Sequence, residues 1–105
     1  MSSGAEHSIQ KVFSGVGTRD QVSTSDLWVK SYMVQPNDEN QAIMAVGGNT
    51  LDLGSKVWYA WLPIPSTKAV ETFNNSGPYT SSFNLKDLYV EGAIGEGCTI
   101  TYNLF

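Results

Sequence analysis

The chain has 105 residues, enough for one domain and too few for two, because domains typically run to ~100–150 residues. Charged residues make up 15% of it while aromatics reach 11%, against roughly 25% charge in ordinary soluble domains, so the surface must be built from Ser, Thr, Asn, Gln and Gly. Ten acidic against six basic residues give a net charge of −4, and Arg19 is the only arginine; with no basic patch to neutralise phosphates, nucleic-acid binding is excluded.

Residues 1–26 are rich in Gly, Ser, Thr and Gln, with Ile9, Val12, Phe13, Val16 and Val22 as scattered apolar members. The opening Met1 to His7 is polar, which predicts no secretion signal, and no apolar run approaches the ~20 residues of a membrane span. The block reads as an extended N-terminal arm with a short strand over 9–13, and weakly apolar arms order against a neighbour. That makes Ile9 and Phe13 candidate interface residues. From Leu27 the pattern changes to short β-rich runs between turn clusters, the signature of an all-β domain over 27–105: a single small antiparallel sandwich or barrel of about seven or eight strands. In the run 27–34, strict alternation puts Leu27, Val29 and Met33 on one face, expected to be buried, and Trp28, Lys30 and Tyr32 on the other. Pro36 to Asn40 predicts a turn. Strands are then expected over 42–46, 56–62 and 69–73, over 83–85 and 88–90, and over 98–102, with Gly, Pro and Asn clusters between them.

Catalysis needs titratable groups gathered with shifted pKa values, and the chain offers one His, one Cys and ten scattered carboxylates. His7 reads as a solvated residue of the arm. Cys98 alternates with Ile100 and Tyr102 and reads as a small buried hydrophobe; a lone thiol makes neither an internal disulfide nor a zinc site. Asp20 with Asp26, Asp38 with Glu39, and Glu91 with Glu96 match no regular calcium loop and read as turn charges. Asn74-Asn75-Ser76 fits the glycosylation rule and reads as a turn. No catalytic, cofactor or metal residues are therefore assigned.

The positive signal is aromatic. Trp58 and Trp61 differ by an odd step, so they cannot share a strand face, and one of the two, with Tyr59, is expected at a surface that meets something. Trp28 and Tyr32 form a second such surface. Aromatics on a weakly charged surface are enriched where proteins meet proteins, and they also stack on sugars.

Ala42-Ile43-Met44-Ala45-Val46-Gly47-Gly48 resembles the strand-then-glycine-pair segment of small β-sandwich virion proteins of tailed bacteriophages, the class that includes head decoration, or cement, proteins. Phe83-Asn84-Leu85-Lys86-Asp87-Leu88-Tyr89-Val90-Glu91-Gly92, followed by a Gly-rich turn and the closing Cys98-Thr99-Ile100-Thr101-Tyr102, is similar to their recurrent ending. The resemblance implies a non-enzymatic protein made in the host cytoplasm that binds the major capsid protein on the head surface. It also implies self-association, most often as a homotrimer, with no membrane partner. A carbohydrate-binding or receptor-recognition module of a fibre or tail, stacking sugar on Trp58 or Trp61, is the competing expectation.

Overall fold

The computed structural model describes residues 6–57, 60–62, 73–74 and 83–104. It is an all-β sandwich of two antiparallel sheets. The first sheet runs β1 (Glu6–Val12), β9 (Gly97–Leu104), β3 (Trp28–Pro36) and β6 (Phe73–Asn74), with β7 (Phe83–Asn84) also paired to β3. The second runs β2 (Asp20–Gln21), β8 (Tyr89–Glu91), β4 (Met44–Gly47) and β5 (Ala60–Leu62). Val29, Tyr32, Val34, Cys98 and Ile100 from the first sheet meet Met44, Val46 and Val90 from the second, and Leu85, which opens a 3₁₀ turn over Leu85–Asp87, and Leu88, which follows it, join the core.

Three sequence expectations change. The first concerns 1–26: β1 pairs with β9 without interruption from Glu6↔Asn103 to Val12↔Gly97, and Phe13 and Val22 belong to the core cluster. Residue 26 is thus no boundary of packing; the arm supplies an edge strand and two core side chains. The second concerns β3. The pairing with β9 slips by one between Val29 and Ser31, which makes Lys30 the extra residue of a β-bulge. An extra residue sends every later side chain to the opposite face. Val29 is buried as expected, but beyond the bulge Tyr32 and Val34 point inward and Met33 is only half-buried.

The third concerns Pro36, which is expected to open a turn and instead closes β3 opposite Cys98. Asn37 N–H donates to the Gly97 carbonyl at 3.0 Å, so alternation turns the Pro36 nitrogen away from β9, where it has no bond to donate. Asn40 then reaches back: its buried carboxamide donates to the Gly97 carbonyl at 2.7 Å and accepts from the Gly97 N–H at 3.1 Å.

The ten-residue run 83–92 is now legible position by position. Phe83 packs on Tyr32 with ring centroids 5.2 Å apart. The Asn84 side chain caps the 3₁₀ turn, accepting from Lys86 N–H at 3.1 Å and from Leu27 N–H at 2.9 Å. Leu85, Leu88 and Val90 point into the core while Lys86 and Asp87 face water. Gly92 lies under the Phe13 ring, which a Cβ would overlap.

Candidate functional site

β4 is buried on both faces, since Met44 and Val46 meet the core and Ala45, paired with Glu91 across β4 and β8, faces the other way. On that outer side two loops converge on Glu91, which is 1% exposed. Its carboxylate accepts from Gly17 N–H at 2.6 Å and from Leu53 N–H at 3.1 Å. Asp20, Glu96 and Asp26 also accept hydrogen bonds. Asp20 accepts from the Ser14 N–H at 2.9 Å and hydroxyl at 2.6 Å, and Glu96 accepts from Gln41 N–H at 2.8 Å and Ala42 N–H at 3.3 Å. Asp26 accepts from the Asn84 amide at 3.0 Å and lies 3.8 Å from Lys86; the latter pair is solvated and worth little. Glu91 and Glu96 are therefore ties between loops. No group of three or more His, Cys, Asp or Glu is placed to hold a metal ion among the described residues.

Burial pushes the Cys98 thiol up to about 12, against the partial opposition of Lys11, so it stays protonated and unreactive at neutral pH. His7 stacks on Tyr102 with centroids 5.4 Å apart.

The aromatic candidates divide. Trp28 is 54% exposed at the start of β3 and is the one large aromatic side chain held out in water among the described residues. Tyr32 and Phe13 are core residues, removed from any surface by the β3 bulge and by the docking of the arm respectively. Ile9 is half-buried and packs against the core edge. Trp58 and Tyr59 lie outside the described residues. Trp61 pairs in register with Ala45 in β5, and its side chain lies outside the described set.

Two features had no place among the sequence candidates. Val12 at the end of β1, and Val16 and Ile94 on two loops joined by the Gly95 N–H bond to the Phe13 carbonyl, are exposed, at 69%, 59% and 78%. Isolated aliphatics in a polar arm give no periodic signal, so alternation could not single them out. The second is an open polar cleft of about 340 Å³, lined by Gln21, Asn49, Thr50, Lys86, Asp87 and Tyr89. Gln21 donates to the Lys86 carbonyl at 2.8 Å and fixes one wall, and Arg19 sits 5.8 Å from the Tyr89 ring centroid. The outward position of Tyr89 follows from alternation with Val90; the loop residues facing it are brought there by the fold.

These features lie on an all-β scaffold of two antiparallel sheets. Comparison with family models finds no match, and neither the curated proteins nor the solved structures yield one.

Proposed function

We propose that this is a non-enzymatic structural protein of a tailed-phage particle, most concretely a decoration protein that binds the assembled head and stabilises it. The observation that carries the reading is Trp28, an indole 54% exposed on a chain with 15% charged residues. Buried aromatic anchors dominate protein–protein binding energies, and an indole left in water on one subunit is suited to be buried in an assembly. The carboxylates engaged in tying loops support a rigid scaffold rather than a reactive one. On the head, the protein contacts neighbouring major capsid subunits and its binding free energy adds to particle stability by mass action.

The test is co-sedimentation with assembled heads, followed by thermal release of their DNA. The bound protein is expected to raise the release temperature. Trp28→Ala is expected to weaken head binding by roughly thirtyfold, the scale of a hot-spot residue, while leaving the unfolding midpoint of the free protein unchanged. Failure to co-sediment sinks the proposal.

The polar cleft favours a second reading, a saccharide-recognition module. Amide, hydroxyl and carboxylate side chains beside an aromatic ring are the groups that meet sugar hydroxyls and faces. A glycan panel read by chemical-shift changes at Tyr89 and Asn49 tests it, and silence across the panel removes it.

A further inference from the structure

A sheet edge is a row of unpaired backbone N–H and C=O groups, and proteins blunt it by shortening the strand, bending it, or placing Pro or charged side chains on it, inward-pointing ones included. Among the described residues, the other edge strands of this sandwich are blunted by length: β2, β6 and β7 have two residues each and β5 has three. β1 has seven residues, no proline and no break in its register with β9. Its one lysine, Lys11, shares the inward face with Ile9 and is the single charge guarding it, while the exposed row Ser8, Gln10 and Val12 carries none. No described strand pairs with its outer side.

The direction of each backbone group follows from one bond. Phe13 N–H donates to the Glu96 carbonyl at 2.7 Å, in the same register that pairs Lys11 with Cys98 and Ile9 with Ile100. In an antiparallel ladder the bonding side alternates with each residue, so the odd positions 7, 9 and 11 bond β9. Ser8, Gln10 and Val12 then direct their N–H and C=O groups outward, and their side chains are exposed on the outer face of the sheet.

We propose that this edge is a self-association site, where β1 pairs antiparallel with β1 of a second copy about a two-fold axis at Gln10. The chemistry of the strand selects the occupant. The chain carries −4 overall, which disfavours close approach of two copies, but within β1 Glu6 and Lys11 cancel. An anionic or cationic partner segment finds no complementary charge along the row Ser8, Gln10, Val12, whereas an identical row matches it. With Gln10 opposite Gln10, Val12 stands beside Ser8 of the second copy and Lys11 beside its Ile9, so no like charges meet. The central carboxamides can bond each other across the axis, as in glutamine ladders. The two first sheets become one continuous sheet, and Val12, 69% exposed in the single copy, gains Ser8 of the second copy as a neighbour.

Sedimentation equilibrium over a dilution series tests this without any capsid, so its outcome is separate from that of the head-binding reading. The wild-type chain is expected to reach twice its 11.4 kDa mass, or an even multiple if a three-fold contact is also present. Gln10→Pro removes an outward N–H while sparing the β9 ladder, and is expected to raise the dissociation constant at least roughly tenfold. Gln10→Lys, a substitution at an exposed site that leaves the fold intact, places two cations at the axis and is expected to do the same. Gln10→Cys is expected to cross-link with a short bifunctional maleimide, since hydrogen-bonded antiparallel pairs hold their Cα atoms about 5.5 Å apart. The buried Cys98 adds no background. A wild-type monomer at every concentration, a trimer without a two-fold contact, or a dimer unaffected by Gln10→Lys overturns the proposal.

Discussion

Glu91 accepts both of its hydrogen bonds from backbone N–H groups on separate loops, and a carboxamide in its place can accept from only one of them, its amino group facing the other donor. Glu91→Gln is expected to cost about 1–3 kcal/mol, seen as a lower urea midpoint with an unchanged slope. Cys98 makes a pH-dependent contribution. The unfolded thiol ionises near 9 and the folded one near 12, so between those values the unfolded state binds fewer protons. Its contribution is fully present below pH 9 and is lost as pH rises, at about 1.4 kcal/mol per unit. Cys98→Ala is expected to flatten that part of the alkaline stability profile, measured as the difference between wild-type and variant denaturation curves. The two residues differ in how plainly the sequence announces them. Cys98 alternates with Ile100, and its burial follows from period two. Glu91 also obeys alternation, being opposite in phase to Val90, but outward on a strand normally means solvated. Its burial comes from loops arriving from residues 17 and 53, and no local pattern encodes that arrival.

At the level of elements, β3 shows how one residue divides a correct reading from an incorrect one. Period two identifies the strand and the inward face at Val29, then fails beyond Lys30 because a bulge reverses the phase. Strict alternation therefore places Tyr32 at a surface, whereas it lies in the core. Deleting Lys30 should restore strict pairing and force a choice between burying Tyr32 with Val34 and burying Val29 with its N-terminal neighbours. Losing either set empties part of the core, at about 2–5 kcal/mol per large side chain. The expected result is a loss of cooperative thermal unfolding, read by near-UV circular dichroism, whereas Lys30→Ala, which keeps the extra residue, should unfold close to wild type. In the ending 83–92 the sequence predicts strands over 83–85 and 88–90; the structure keeps strands at Phe83–Asn84 and Tyr89–Glu91 and makes Leu85–Asp87 a 3₁₀ turn. The cap formed by Asn84 was hidden among many asparagines.

For the molecule as a whole, the all-β sandwich was evident from the spacing of turn clusters, but the division at residue 26 was not a structural one. A weakly apolar, Gly-rich block looks detachable because its two core residues, Phe13 and Val22, are far apart in sequence. They find their places through the Gly92 platform and the Val22 N–H bond to the Leu88 carbonyl at 2.9 Å. A chain of residues 27–105 alone is expected not to fold. Losing Phe13 by itself is worth about 3–5 kcal/mol, a large share of the ~5–15 kcal/mol that domains possess, and β9 would lose one of its two partner strands as well. A dispersed amide proton spectrum from that fragment would contradict this.

The β1–β9 pairing also fixes how the domain would respond to being pulled. Glu6 sits opposite Asn103, so the two ends of the sandwich emerge side by side from the same end of adjacent strands. Tension applied between them acts across the ladder and opens it one rung after another, like a zip, where strands loaded along their length must break all their bonds together. A subunit tethered through its two ends would thus yield at low force along β1, while the same subunit loaded across its sheets would resist. A circular permutant joining the two ends would have only a single ladder step to bridge.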